Sequence, residues 1–185
     1  MPAKTAHAGL YSVKAVAHIN VRNRFFLLEV HMRYWLMKSE PDEVSIDDVL
    51  AAPKHTVAWF GVRNYQARNF MRDGMQKGDL AFFYHSSCAE PGIAGIVEIA
   101  STAYPDATQF DPKSYYYDPK ATPQEPRWIS VDVRAVRKTP LLSLKQLRTY
   151  PELESMRLLA KGSRLSILPV EADEWKFIEK QLSEA

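Results

Sequence analysis

From residue 32 onward, short apolar runs are separated by polar breaks marked with proline, glycine or asparagine. Tyr34–Lys38 is an aromatic-rich run that predicts a strand. Ser45-Ile46-Asp47-Asp48-Val49-Leu50 predicts a short helix, with Ser45 as cap, Asp48 answering it at the third position and Pro53 as the stop. Val57–Phe60 predicts a second strand. Asn64–Asp73 predicts a helix: the short side chain of Asn64 can accept from an otherwise unpaired N–H, and Gly74 ends the run. After a turn at Lys77-Gly78-Asp79, Leu80–Tyr84 predicts a buried strand. Pro91-Gly92 turns the chain into Ile93–Thr102, a long strand whose internal Gly95 marks a bulge or bend. Trp128–Arg137 alternates Ile129, Val131 and Val133 against Ser130, Asp132 and Arg134, the pattern of a half-buried strand. Leu144–Tyr150 and Glu152–Leu159, split by Pro151, predict short helices. Leu165–Pro169 predicts a last strand, and Ala172–Leu182 a closing amphipathic helix.

Five or six short strands with helices between them do not form a βαβ array. They predict an α+β fold, a small mixed β-barrel with helices packed around it. Between the strands, Tyr104–Pro126 predicts a long loop with five prolines and the run Tyr115-Tyr116-Tyr117. Loops of this length in compact domains are functional or disordered. Three adjacent tyrosines would leave much apolar area wet in a disordered segment, so an ordered loop is expected.

Charge separates the first 31 residues from the rest. They hold Lys4, Lys14, Arg22 and Arg24 against the single acid Glu29, and three of the five histidines. Of the chain's 24 basic and 22 acidic residues, 20 and 21 therefore lie in residues 32–185, a formal charge of −1. The sequence pI near 8.6 thus reflects the first segment, and nucleic-acid binding by the remainder would need a local site. Residues 1–31 show no clear period before Phe25–Leu28 and make no secretory signal. We expect a non-native or disordered extension ahead of a domain at 32–185, with Met32 as the natural start; a mobile N-terminal arm is the other reading. At 185 residues one domain with a real core is expected. The lone Cys88 suits a reducing, cytoplasmic compartment, and no apolar run is long enough to span a bilayer.

Catalytic chemistry is sparse in the pattern. There is no HExxH, CxxC or glycine-rich phosphate loop, so no metal or cofactor is expected. His85 and Cys88 lie three apart, but no third group orients them, and His85 also reads as the end of a strand. Recognition chemistry is richer. In Trp59-Phe60-Gly61-Val62-Arg63-Asn64-Tyr65-Gln66-Ala67-Arg68-Asn69, a flat ring, a glycine turn and a capped helix start suit a planar polar ligand such as a nucleobase. The bland alternative makes Trp59 core and Arg63 solvated. In Lys38-Ser39-Glu40-Pro41, Pro41 keeps Glu40 out of helical angles, which should leave Ser39 and Glu40 exposed at the barrel mouth. A carboxylate accepts from exocyclic amines of cytosine or adenine, a serine serves either way, and a tryptophan stacks on a base face.

These stretches, in order, resemble one known family. Tyr34–Pro41, Trp59–Asn69, Gly78-Asp79 before Phe83-Tyr84-His85-Ser86, Asp111-Pro112 with Tyr116 and Pro126-Arg127-Trp128, and Ser163-Arg164-Leu165-Ser166 are similar to the EVE domain. The resemblance runs from Met32 to near Leu182. It implies a PUA-like barrel related to the YTH readers of methylated adenine in RNA, and for some EVE proteins the reading of modified cytosines in DNA. By comparison with the YTH pocket, Lys38, Ser39 and Trp59 look like base-pocket residues. Tyr84, Tyr116 and Trp128 remain candidates for a second aromatic wall.

The combined expectation is a monomeric, non-enzymatic binder of DNA or RNA carrying a modified base, with no membrane partner. The expected ligand-binding residues are Lys38, Ser39, Glu40, Trp59, Gly61, Val62, Arg63, Asn64, Tyr84, His85 and Tyr116, with Arg63 and Arg68 on phosphate. Two alternatives stand beside it. One is a small enzyme acting on a nucleotide or modified base, with His85 or Glu40 as general base. The other is a protein-interaction module built on the tyrosine loop, which requires an exposed apolar patch and no deep pocket.

Overall fold

The computed structural model describes residues 32–184 and, before them, only the backbone of Asn20–Val21 and Arg24–Phe25, which pair antiparallel. The chain divides at His31/Met32 into two units. The reading of residues 1–31 as an extension falls outside the described residues.

Local signals set the elements of the larger unit. β1 (Tyr34–Ser39) leads to α1 (Ile46–Ala51), where Ser45 and Asp48 form the reciprocal capping box that their spacing predicts. β2 (Thr56–Trp59) precedes α2 (Tyr65–Asn69), whose first N–H groups, Gln66 and Ala67, donate to the Asn64 side chain. A π-helical turn (Phe70–Gly74) extends α2 to the expected stop. β3 (Leu80–His85), β4 (Gly92–Ile99) and the two-residue β5 (Tyr104–Pro105) follow. Then come β6 (Ile129–Ser143), α3 (Leu144–Leu147), β7 (Ile167–Val170) and α4 (Ala172–Glu184).

The sheet is mixed, in the order β2-β6-β4-β3-β1-β7, with β5 pairing the start of β6. β1 and β3 are parallel and the other ladders antiparallel. Among the described residues no ladder joins β2 to β7, so the closed barrel expected from the sequence is not formed. Both faces are covered instead. On one face Trp35, Met37, Phe83 and Val97 pack with Ile46 and Val49 of α1 and Met71. On the other, Leu36, Phe82 and Ile96 pack with Trp175, Ile178 and Leu182 of α4. A sheet buried on both sides needs no closure to accommodate nearly continuous apolar strands.

Other differences from the sequence pattern have similar causes. β6 continues past Arg137 to Ser143 because the start of β4 needs a partner there, Gly92 pairing with Ser143. Ser130, expected on the solvent side, is buried because β5 pairs over it. Glu152–Leu159 forms no helix but two single 3₁₀ turns, Pro151–Leu153 and Arg157–Leu159, which bury Leu153 and Leu158 beneath the second face. Gly95 does mark a register shift, and a Cβ there would meet Ile46 at 2.7 Å, so its bareness lets α1 lie on β4.

The long loop is ordered. Gln109, fully buried, donates to the carbonyls of Asp106 (2.7 Å) and Trp128 (2.9 Å) and accepts from the N–H groups of Arg127 (2.8 Å) and Trp128 (3.0 Å). One side chain thereby ties both ends of the loop with all its bonding capacity used.

Candidate functional site

Five separate segments meet around a cavity of about 380 Å³: the end of β1 with Glu43-Val44, the end of β2 with its following turn, Ser86-Ser87, Tyr116, and Arg164-Leu165-Ser166. Backbone bonds hold the segments together. The Lys38 N–H donates to the Ser166 carbonyl and the Ser86 N–H to the Ser39 carbonyl, both at 2.8 Å. The volume falls within the range of small-ligand sites.

The wall is built around Gly61. It has φ +78°, and a Cβ on it would lie 2.7 Å from the Tyr116 ring. Only glycine satisfies both the backbone angle and the approach of that ring. Tyr116 is further fixed by donating its hydroxyl to Glu43, and burial together with this bond raises its pKa far above the usual phenol value. Phe60 meets Tyr116 edge-on, with centroids 5.9 Å apart. Trp59, 7% exposed, meets Phe83 edge-on at 5.5 Å and still contributes to the cavity wall.

Arg63 is the post behind this wall. Its Nε donates to the Tyr116 carbonyl (2.9 Å), and Nη1 to Asp106 (2.8 Å) and the Val62 carbonyl (3.2 Å). Nη2 donates to Thr108 Oγ1 (3.0 Å) and the Tyr116 carbonyl. All five guanidinium N–H groups are thereby engaged. Asp106, 1% exposed, also accepts from the N–H groups of Gly61 and Thr108 and from the Thr108 hydroxyl. Desolvation pushes its pKa up, but the bonds from Thr108, Arg63 and Gly61 outweigh this and hold it below the usual carboxylate range.

The EVE domain profile matches residues 33–181. The chain belongs to the EVE domain family. Thymocyte nuclear protein 1 of Mus musculus is 45% identical over 163 residues, covering 78% of this chain and 71% of that protein. A Pseudomonas putida structure is 51% identical with a TM-score of 0.76, covering 80% of this chain and 97% of that one. The human THYN1 protein, solved in complex with DNA containing 5-methylcytosine, is 43% identical with a TM-score of 0.77, covering 83% and 99%.

In this EVE domain the structure brings eight of the residues singled out in the sequence to one cavity: Lys38, Ser39, Glu40, Trp59, Gly61, Val62, Arg63 and Tyr116. Four lie elsewhere. Asn64 is occupied capping α2. Tyr84 is buried on the α4 side of the sheet. His85 accepts the Ile46 N–H on Nε2 at 3.2 Å, and burial lowers its pKa, so its imidazole is held neutral under the start of α1. Arg68 bonds Asn69 and the Arg127 carbonyl, outside the cavity lining. Two further placements differ from expectation. Ser39 is not exposed, since its hydroxyl donates to the Val44 carbonyl at 2.7 Å, turning the chain inward. Arg63 is not free for phosphate, because the tyrosine loop takes four of its donors and the Val62 carbonyl the fifth.

Of the three aromatics left open for a second wall, only Tyr116 lines the cavity. Trp128 stacks instead on Tyr65, with centroids 5.0 Å apart. Sequence reasoning did not place Phe60, Glu43, Ser86-Ser87 or Arg164–Ser166 in the site. Phe60 sat inside the informative stretch, between Trp59 and Gly61, and alternation alone would have put it on the opposite side. The cavity's cations Lys38 and Arg164 have no ion-pair partner among the described residues. Lys38 is half-buried, which lowers its pKa.

Proposed function

We propose that this EVE domain is a non-enzymatic reader of a modified base in nucleic acid, with methylated cytosine in DNA as its first target. The cavity carries the reading: Trp59, Phe60 and Tyr116 contribute to the wall of a space lined also by Glu40 and Ser39. An unstacked base would enter it, packed against the rings. Glu40 would accept from the exocyclic amine and Ser39, whose proton goes to Val44, would accept as well. Lys38 and Arg164 are the lining cations available to the adjoining phosphate. The 43% identity to a protein solved on DNA containing 5-methylcytosine supports the choice of base.

The enzyme alternative loses one of its two bases, since His85 is held under α1. The interaction-module alternative required no deep pocket and is disfavoured by the cavity. Titrating the protein with short DNA carrying one 5-methylcytosine, its unmodified counterpart, and RNA carrying N6-methyladenosine tests the proposal. Preference for the methylcytosine strand is expected, and Phe60→Ala should weaken it roughly 5-fold to 150-fold, the worth of one base–aromatic stack. Equal binding of modified and plain strands would overturn the reading, and preference for the RNA would redirect it.

A further inference from the structure

Rings and guanidinium groups form a row that starts at Tyr116 in the cavity wall. The Arg63 guanidinium lies 5.3 Å from the Tyr116 ring and 5.4 Å from the Trp128 ring. Trp128 stacks on Tyr65 at 5.0 Å with planes 27° apart. Arg68 lies 4.7 Å and Arg127 5.8 Å from the Tyr65 ring. Each of these cation–ring spacings is within the distance at which the ring quadrupole attracts a cation.

The inner and outer parts of the row differ in what they have left to offer. Arg63 has no unused donor. Arg68 uses one N–H on each guanidinium nitrogen, with Asn69 and the Arg127 carbonyl, so two of its five remain. Arg127 donates to the Tyr65 hydroxyl and pairs loosely with Asp118 at 3.6 Å, leaving donors on Nη1. Tyr65 is 48% exposed, although it sits in an aromatic stack. Trp128 and the arginines already lie against Tyr65, so what this cluster offers a nucleotide is the exposed part of the ring with the guanidinium groups it supports, for the base, and their spare N–H groups, for the phosphate.

We propose that Tyr65, Arg68 and Arg127 form a second nucleic-acid contact, holding an unpaired nucleotide that neighbours the base in the cavity. The proposal rests on the reader function above and adds the strand's path across the protein. With a near-neutral body, such a local contact would add to the phosphate contacts open to Lys38 and Arg164.

The test compares 5-methyldeoxycytidine nucleoside with a short single-stranded DNA carrying one 5-methylcytosine, titrated at two salt concentrations. Tyr65→Ala should weaken the strand roughly 5-fold or more and leave the nucleoside affinity unchanged, whereas Tyr65→Phe, which keeps the ring, should retain most strand binding. Arg68→Gln should lower the salt slope for the strand by about one. If wild type binds nucleoside and strand but both Tyr65→Ala and Arg68→Gln match it on the strand, the second contact is overturned and the reader stands. If wild type prefers no modified base, the reader reading fails by itself. If it then also binds no strand, the second contact falls with it, while strand binding that Tyr65→Ala and Arg68→Gln still weaken would uphold the contact alone.

Discussion

Gly61 concentrates two constraints in one residue. Its φ of +78° is strained for any side chain, and the Tyr116 ring occupies the space a Cβ would need. Gly61→Ala should therefore cost about 2 kcal/mol or more, since the left-handed angle alone costs about 1–2 kcal/mol. For a domain of this size that lowers the thermal midpoint by about 4–8 °C. The same change should push Tyr116 off the wall and weaken base binding beyond the loss in stability. A midpoint within a degree of wild type would show that neither the backbone angle nor the Tyr116 ring constrains this position. Trp59→Ala is a poorer probe of binding, because Trp59 is also core, and emptying such a site costs about 3–5 kcal/mol in its own right.

At the scale of elements, the Tyr104–Pro126 loop is held to the β2–α2 turn through Arg63 and the Gly61 N–H, which between them bond Asp106, Thr108 and the Tyr116 carbonyl; the Arg63–Asp106 pair is the one ion pair among these ties. Removing the carboxylate leaves a guanidinium that is only 22% exposed without its charge partner. Asp106→Ala should cost on the order of 3 kcal/mol and open the cavity on its Tyr116 side. The pH dependence has a definite sign. Asp106 is more acidic in the fold than an ordinary aspartate, so its contribution is complete above about pH 4 and is lost as pH falls through the lower folded value. Acid unfolding of the wild type followed by tyrosine fluorescence should show this loss, and Asp106→Asn should flatten that part of the curve. An unaltered acid limb in Asp106→Asn would mean that other carboxylates govern it.

At the scale of the whole molecule, the sheet is buried on both faces, by α1 and α2 on one side and α4 with the 3₁₀ turns on the other. Among the described residues its cores are composed of residues from Trp35 to Leu182, a range close to the family match at 33–181. Removing residues 1–31 should therefore shift the thermal midpoint by no more than a few degrees. A drop of ten degrees or more, measured by calorimetry, would show that the segment covers apolar surface of the domain.

The amino-acid order alone determined whatever depends on neighbours a few residues away. Ser45 with Asp48 and Asn64 with the following N–H groups formed as read, because a cap and its acceptor lie within one turn. The strand cores and the bend at Gly95 were legible for the same reason, and the motif order was enough to name the family. Tertiary structure decided what depends on partners far along the chain. Arg63 finds Asp106 across 43 residues and Tyr116 across 53, which takes it from the phosphate contact that its sequence context had suggested. Tyr116 rather than Tyr84 or Trp128 reaches the cavity because a loop can fold back over a turn, while Tyr84 is fixed by strand alternation on the α4 face. The open sheet, too, depended on α4 arriving from the end of the chain to cover a face that closure would otherwise have had to hide. Side-chain donors and apolar faces are satisfied by whichever groups packing brings within a few ångströms, and sequence distance does not encode that.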